Sequence, residues 1–194
     1  NFAPPNGNNL TGNLCLYDSI EFQNTSNANN GTITNLDWDF GNGQTLNGVQ
    51  NPTIKYATEG IYDIKIVATN SDGCIDSSFR QVEVYPIPTA VLKIEPECLN
   101  TPIIFNDSSY INAPGYINNV NVSYGDGSPN STIINDSHIY PSDAVYPIIY
   151  TVYSDHGCVD SVTTNTAEVY SIPVANFQNT VICENTPPTN FIDN

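Results

Sequence analysis

Apolar and polar residues alternate along several short segments of this chain, which is the pattern of β-strands buried on one face. Residues 36–40 (LDWDF) put apolar side chains on one side and two aspartates on the other, and residues 62–68 and 146–152 alternate similarly. Turn sequences separate these segments, at residues 41–43 (GNG), 70–73 (NSDG), 125–127 (GDG) and 155–157 (DHG). No segment has a convincing helical period, so the sequence predicts an all-β protein.

The same pattern occurs twice, about 84 residues apart. Residues 38–43 (WDFGNG) correspond to residues 122–127 (VSYGDG), and residues 73–74 (GC) correspond to residues 157–158. The spacing is one residue shorter upstream and one residue longer downstream, which indicates a single repeated unit with small insertions. About seven short strands in roughly 85 residues predict an immunoglobulin-like β-sandwich. We predict one repeat over 1–86 (N-terminal strand truncated), a second over 87–171, and the truncated start of a third over 172–194.

The charge of the chain limits the classes of partner that it could bind. It has 20 acidic and 4 basic residues, for a formal net charge of −16, and only 12% of its residues are charged. Nucleic acid binding needs clustered Lys or Arg, and an anionic membrane surface would repel this chain. No apolar run reaches 18 residues, so we expect no membrane insertion in this segment. An acidic surface suits an exported protein. We favour the interpretation that its charge only maintains solubility and expect no cofactor; recruitment of Ca²⁺ is the alternative.

Residues 38–43, followed by Pro52, Tyr56 and residues 60–70, resemble a PKD domain. The hallmark of that family is a W-D-F-G-D-G strand and turn, then P-x-H-x-Y, then G-x-Y-x-V-x-L-x-V-x-N. The second repeat departs from the pattern at Val122 and Ala144, but it keeps the spacing. The resemblance implies a core motif formed by Trp38, Phe40, Tyr56, Tyr62, Tyr124, Tyr140 and Tyr146.

The cysteines, the Gly-Cys-x-Asp-Ser segments and the V-Y-x-I-P linkers are similar to repeats in giant surface proteins of gliding Bacteroidota, of the SprB-like adhesin kind. This resemblance implies export by type IX secretion and an extracellular, outer membrane-associated location. It also implies contact with surface polysaccharide or other cell-surface proteins. A second resemblance concerns Ser19 and Ser161, which lie in Asp-Ser-aliphatic triplets like the acceptors of Bacteroidota O-glycosylation; chance occurrence of such a tripeptide is the alternative.

Five cysteines in an exported repeat protein suggest disulfides. We place Cys15 and Cys98 at the start of the second strand, and Cys74 and Cys158 at the opposite end of the sandwich. A strand spans roughly 17–20 Å, whereas disulfide-bonded Cα atoms lie within about 7 Å. We therefore favour an inter-repeat bond between Cys15 and Cys158 over pairing within each repeat or reduced thiols. Cys74, Cys98 and Cys183 would then have partners in neighbouring repeats outside this chain.

Several other residues are candidates for sites. Asp37, Asp39 and Asn42 could ligate Ca²⁺, although strand and turn hydrogen bonds are the alternative that we favour. We expect a turn role for Asp126 and a hydrogen-bonded structural role for His138. His156 lies in a turn beside Asp155, and two histidines without a third ligand do not make a zinc site. The exposed-loop candidates for contact with a partner or a sugar ring are Tyr110 and Tyr116.

We expect no enzyme activity, because the chain has no G-x-S-x-G, H-E-x-x-H or P-loop motif, and its cysteines recur with the repeat. The leading hypothesis is a structural and adhesive repeat segment of a large secreted cell-surface protein, with neighbouring repeats as its first partners. The alternative is an accessory PKD module, as spacer or glycan binder, of a secreted polysaccharidase or protease.

Overall fold

The computed structural model describes residues 13–163, 165–178 and 192–193, and every regular element in these ranges is a β-strand. The all-β class predicted from the alternating pattern is therefore confirmed. The described strands fall into two sandwiches and one further pair of short strands.

In its described residues, from 13 onward, the first repeat has seven strands. They are β1 (Leu14–Cys15), β2 (Ser19–Glu21), β3 (Ile33–Asp39), β4 (Thr45–Asn47), β5 (Thr53–Lys55), β6 (Gly60–Asn70) and β7 (Ile75–Tyr85). Five of them form one sheet in the order β1-β7-β6-β3-β4, and β2 pairs with β5 in a second sheet. Neighbouring strands are antiparallel except for β1 and β7, which are parallel. This is the immunoglobulin-like sandwich expected from the sequence.

Side chains from the two sheets of the first repeat meet in one core. Trp38 and Ile64 enter from the larger sheet, Ile20 and Ile54 enter from the smaller one, and each is at most 6% exposed. Asp39, the neighbour of Trp38 on β3, faces solvent. This arrangement follows from the alternation of apolar and polar residues, because successive side chains of a strand point to opposite faces.

The second repeat repeats this plan with more interruptions. Its strands are β8 (Leu92–Ile94), β9 (Glu97–Cys98), β10 (Ile103–Asp107), β11 (Ile117–Ser123), β12 (Ser137–His138), β13 (Val145–Pro147), β14 (Ile149–Ser154), β15 (Val159–Val162) and β16 (Thr166–Tyr170). The sheets are β12-β10-β8, β11-β14-β15 and β13-β16-β9. Here too the short strand β9 runs parallel to the last strand, β16.

The pairing register changes between the last two strands of the second repeat. Tyr150 pairs with Val162 on β15, and Pro147 pairs with Thr166 on β16. These pairs are three residues apart on the earlier side and four apart on the later side. The difference of one residue agrees with the repeat spacing, which is 84 residues before this point and 85 after it.

Four tyrosines hold the same positions in both repeats. Tyr56 and Tyr140 each donate a hydrogen bond to the backbone carbonyl 16 residues upstream, at 3.2 and 3.0 Å. Burial raises the pKa of both phenols above the usual range, which keeps these protons in place. Tyr62 and Tyr146 donate to the carbonyl four residues upstream, at 2.8 and 3.1 Å. The second pair forms the tyrosine corner known from immunoglobulin-like sandwiches.

The glycine that follows each aromatic strand is required by the fold. Gly41 and Gly125 have φ angles of 71° and 77°, in the left-handed region that L-residues rarely adopt. A Cβ atom on Gly41 would also lie 2.8 Å from the carbonyl oxygen of Asp63, and one on Gly125 would clash with Pro147. The turn therefore lets the backbone of the neighbouring strand pass close by.

One detail of the predicted topology was wrong. Cys15 and Cys98 do not start the second strand of each sandwich; they end the short strands β1 and β9. In these strands Cys15 lies beside Tyr85, and Cys98 lies beside Tyr170, through parallel pairing with the last strand. The physical reason is that the last strand has a free edge, whose backbone groups the short strand satisfies.

Two further short strands lie near the end of the chain. The strands β17 (Phe177–Gln178) and β18 (Ile192–Asp193) form an antiparallel pair, where the third repeat was predicted. The first repeat ends with β7 at Tyr85 and the second begins with β8 at Leu92. Cys183 lies outside the described residues.

Substitution of a buried and of an exposed residue on β6 tests the packing of the sandwich directly. Ile64→Ala removes a fully buried side chain and should lower the free energy of unfolding of the first repeat by about 2–5 kcal/mol. Ile61→Ala, on the same strand, is the control, because Ile61 is 60% exposed and its loss should cost less than about 0.5 kcal/mol. Urea denaturation followed by fluorescence of Trp38, the one tryptophan of the chain, measures both. Equal effects of the two substitutions would contradict this packing.

Candidate functional site

A disulfide joins the two repeats. The sulfur atoms of Cys15 and Cys158 are 1.99 Å apart, their Cα atoms are 5.7 Å apart, and 143 residues separate them in sequence. Both cysteines are buried, at 8% and 1% exposure. This is the inter-repeat pairing that we favoured from the sequence. It makes the junction between the repeats the main candidate for a functional site.

Local structure brings the two sulfur atoms together. Cys15 lies at the end of the first sandwich because β1 pairs with the last residues of β7, where the linker to the second repeat begins. Cys158 follows a tight turn in which Gly157 donates to the carbonyl of Ser154 at 3.0 Å and has a φ angle of 78°. The hydroxyl of Ser154 accepts the N–H of Cys158 at 3.0 Å. The turn therefore holds the cysteine at the tip of the second sandwich.

Ring stacking supports the disulfide. The ring of His156 lies on the ring of Tyr85, with centroids 3.7 Å apart and planes 12° from parallel. The side-chain amide of Asn13 donates to the carbonyl of His156 at 3.0 Å. His156 also lies 3.0 Å from the carboxylate of Asp155. The predicted turn position of His156 is thus an inter-repeat contact, which sequence reasoning missed.

Hydrogen bonds hold the linker between the repeats. The carboxylate of Asp160 accepts the backbone N–H of Ala90 at 2.8 Å. Thr89 and Tyr110 exchange two backbone hydrogen bonds, at 2.7 and 3.1 Å. The Gly-Cys-x-Asp segment therefore has two tasks, since its cysteine bonds the preceding repeat and its aspartate binds the linker. Recurrence of this segment at Cys74 and Cys158 was the signal in the sequence that could have revealed Asp160.

A loop of the second repeat reaches the first. The side-chain amide of Asn112 donates to the carboxylate of Glu59 at 3.3 Å. Tyr110 and Tyr116 lie in this loop and are 59% and 61% exposed. Their rings are accessible, as a contact role requires, but the backbone of Tyr110 already serves the linker. The loop buttresses the junction, and this role was not foreseen.

Two further cysteines in the described residues are not bonded. Cys74 and Cys98 are exposed and carry free thiols. Neither is bonded within its own repeat, so the structure does not contain the intra-repeat pairs Cys15–Cys74 and Cys98–Cys158 that were the alternative.

The predicted Ca²⁺ ligands have structural partners. The carboxylate of Asp37 accepts hydrogen bonds from the side chains of Asn35 and Asn47. Asp39 accepts the N–H of Gly41 at 2.9 Å, and the side-chain oxygen of Asn42 accepts an N–H of the same turn at 3.0 Å. In the described part of the chain, no three His, Cys, Asp or Glu side chains are grouped as a metal site would need. Ca²⁺ binding stays a prediction.

The predicted glycosylation serines are accessible. Ser19 lies on β2 and Ser161 on β15, and both are exposed. The aspartate before each serine is used within the fold, since Asp18 accepts the N–H of Cys15 at 3.1 Å and Asp160 binds the linker. The structural hydrogen bonds of Asp18 and Asp160 thus explain the aspartate of each triplet without any modification of the serine. Glycosylation of the two serines stays a prediction.

A buried aspartate and histidine support the second repeat. The Asp126 carboxylate accepts from the backbone and hydroxyl of Ser128, at 2.9 and 3.0 Å, and lies 2.8 Å from Nε2 of His138. The side chains of Asp126 and His138 are 3% and 17% exposed. The His138 ring stacks on Tyr124 at 4.0 Å. These are the turn role and the structural role predicted for the two residues.

The electrostatics of this cluster follow from its contacts. Burial opposes ionisation of Asp126, but hydrogen bonds from His138 and Ser128 outweigh it and hold the pKa of the carboxyl below its usual value. Burial and a 2.6 Å hydrogen bond to Asp136 raise the pKa of Tyr124 to about 12. The cluster is therefore charged on the carboxylates and neutral on the phenol at neutral pH.

Comparison with known proteins agrees with part of this picture. The PKD domain family model matches residues 3–85, the first repeat. The pre-pro-metalloprotease PrtV of Vibrio cholerae serotype O1 is 36% identical over 66 residues, which are 34% of this chain and 7% of that protein. The matched segment is thus a small part of the length of this relative.

Solved structures of similar shape are distant. The fibronectin(III)-like modules of Clostridium thermocellum CbhA are 18% identical, cover 82% of this chain and 89% of their own, and have a TM-score of 0.42. An I-band fragment of titin is 14% identical, covers 87% and 66% respectively, and has a TM-score of 0.41. The described residues include no helix that could cross a membrane.

Acidification should weaken the second repeat through Asp126. Its pKa in the folded state lies below the unfolded value of about 3.9, so its stabilisation is present above that value and is lost as pH falls through the folded-state pKa. Asp126→Asn should lower the free energy of unfolding by about 1–3 kcal/mol at pH 7, and the difference from the unsubstituted chain should shrink toward zero near pH 2.

The first repeat is the built-in control for this titration. Asn42 and Ile54 stand there at the positions of Asp126 and His138. Urea denaturation followed by circular dichroism reports both repeats, whereas Trp38 fluorescence reports the first alone. Two results would contradict the assignment. One is an effect of Asp126→Asn on the free energy of unfolding that is as large at pH 2 as at pH 7. The other is a shift of the Trp38 transition caused by the same substitution.

Proposed function

We propose that this chain is a non-catalytic structural segment that holds neighbouring parts of an exported protein at a fixed distance and orientation. The disulfide between Cys15 and Cys158 carries this proposal. A flexible linker alone would leave the two sandwiches free to rotate. A covalent bond at the sandwich ends, beside the linker, adds a second point of attachment and removes that freedom.

Further contacts at the junction support a rigid connection. The stack of His156 on Tyr85 and the hydrogen bond from Ala90 to Asp160 act beside the disulfide. The pairing of Thr89 with Tyr110 restrains the linker from the other side. Attachments on several sides resist bending in more than one direction, which suits a load-bearing rod.

An extracellular location belongs to the same proposal. Disulfides persist in oxidising compartments and are rare in the reducing cytosol. The net charge of −16 keeps such a surface soluble and self-repelling. Within this class we favour a cell-surface filament of the gliding-adhesin kind, exported by type IX secretion and touching polysaccharide or other surface proteins. The recurring unit and its stapled junction support that choice.

An accessory module of a secreted enzyme is the second candidate. The sequence identity of 36% with part of the metalloprotease PrtV directly favours this second candidate. In that setting the same rigid repeats would separate a catalytic domain from the rest of its chain, or would hold it near a glycan or protein substrate. Both candidates require the structural role and differ only in what the rod carries.

Solution scattering tests the structural role. Small-angle X-ray scattering of the oxidised chain should fit one arrangement of the repeats, whereas a Cys15→Ser/Cys158→Ser variant should give a broader distribution of interatomic distances. Both chains carry Cys74→Ser and Cys98→Ser, which remove two exposed thiols that could otherwise join copies of the chain, so the comparison reports the Cys15–Cys158 bond alone. If the oxidised chain needs as broad an ensemble as the variant without the disulfide, the rigid-rod role is wrong.

The parent protein distinguishes the two candidates. Purified from its source and digested, an adhesin parent should show many copies of the Gly-Cys-x-Asp-Ser segment and no hydrolytic activity on protein or polysaccharide. A parent with few copies and a proteolytic or polysaccharide-cleaving activity would instead support the accessory module and overturn the adhesin assignment.

A further inference from the structure

The two outer ends of this pair of repeats carry the two halves of its inner junction. At the inner junction, the end of β1 with Tyr85 forms one half, and the turn that ends at Cys158 forms the other. We call the first kind of surface the strand-end surface and the second kind the Gly-Cys turn. The chain has a second strand-end surface at Cys98 and a second Gly-Cys turn at Cys74.

The strand-end surface at Cys98 matches the one at Cys15. Cys98 pairs with Tyr170 in parallel register, as Cys15 pairs with Tyr85. The residue after each cysteine donates its N–H to the carbonyl of that tyrosine, at 2.9 Å in both repeats. Each tyrosine hydroxyl donates to the glutamate two residues before it, at 3.2 and 2.7 Å. The thiol and ring are therefore presented in the same way.

The two strand-end surfaces differ in whether another part of the chain covers them. The ring of His156 lies on Tyr85, whereas Tyr170 is 47% exposed. Cys15 is buried by its bond to Cys158, whereas Cys98 is exposed. An exposed thiol beside an exposed aromatic ring is thus the strand-end surface without its partner turn.

The Gly-Cys turn at Cys74 matches the one at Cys158. Gly73 has a φ angle of 80° and donates to the carbonyl of Asn70 at 3.1 Å, as Gly157 does to its own turn at 3.0 Å. The side-chain oxygen of Asn70 accepts the N–H of Cys74 at 2.8 Å, in the place of the serine hydroxyl of the second repeat. Asp76 stands two residues after Cys74, as Asp160 stands after Cys158.

We propose that Cys98 forms a disulfide with the Gly-Cys turn of a further repeat of this kind, and that Tyr170 packs against that turn. The same positions are bonded one repeat earlier, so the partner is defined chemically: a cysteine that follows glycine and precedes x-Asp at the tip of a sandwich. The Cys74 turn is the reciprocal half, which docks on the strand-end surface of another such repeat. The bonded junction is then a repeating element of a longer rod.

Formation of this bond is an oxidation. The two thiols lose two protons and two electrons and form one S–S bond. An oxidant of the protein-disulfide class takes the electrons and protons and is itself reduced to a dithiol. The inference rests on the proposed structural role, because a disulfide at every junction between repeats stiffens the chain only if the repeats form a rod.

Peptide mapping of the full-length parent tests the inference. The parent is isolated from its source with free thiols blocked by an alkylating reagent, and digested without reduction by trypsin and an endoproteinase that cuts before aspartate. The bond of Cys15 to Cys158 in the same digest is the control for oxidation. We expect Cys98 to be recovered in a linked peptide in the same proportion as Cys15. Its partner peptide should end in Gly-Cys-x, because the second enzyme cuts before the aspartate that follows.

Each result decides a separate question. Recovery of Cys98 as an alkylated thiol, or linked to Cys183 or to another cysteine outside a Gly-Cys turn, would overturn this inference and leave the structural role intact if Cys15 and Cys158 are linked. Absence of the Cys15–Cys158 bond as well would overturn the proposed function.

Discussion

The parallel pairing of a two-residue strand with the last strand of the same sandwich is the constraint on which the junction depends. It sets Cys15 beside Tyr85, at the point where the chain leaves the first repeat. A cysteine in the middle of a long strand would face either the core or the solvent beside the sheet. Because the short strand lies on the edge, its last side chain is free to meet the next repeat. The disulfide follows from that placement, and the stack of His156 on Tyr85 lies beside it.

The Gly-Cys turn supplies the other half and gains its precision from backbone geometry. A glycine with positive φ closes the turn, and a polar side chain at its first position accepts the N–H of the cysteine. Only short contacts within the turn are needed, so the turn varies in sequence between Ser154 and Asn70 without changing its shape. The aspartate that follows secures the linker, which ties the orientation of the second sandwich to the path of the chain. One short segment thus provides covalent and polar attachment together.

Much of the fold could be predicted from the sequence, because alternation of apolar and polar residues directly encodes which face of a strand is buried. Trp38, Ile64, Tyr56 and Tyr140 occupy the positions that this pattern and the repeat spacing indicate. The pairing of Cys15 with Cys158 was foreseen, but from a wrong strand placement that led to the correct end of the sandwich. The stack of His156 on Tyr85 and the contact of Asn112 with Glu59 could not be foreseen. They depend on the relative orientation of two domains, which local sequence does not encode.

The most direct measurement is a disulfide map of this chain. Trypsin cuts after Lys55, Lys65, Arg80 and Lys93, which separates residues 1–55, 66–80 and 94–194, and a second cut before aspartate separates Cys98 from Cys158. Digestion of the alkylated, non-reduced chain should give Cys15 joined to a peptide that begins at Asp155 and contains Cys158. Cys15 joined to residues 72–75, the fragment that contains Cys74 after both cuts, would show that each repeat closes on itself. Our account of the junction would then be wrong.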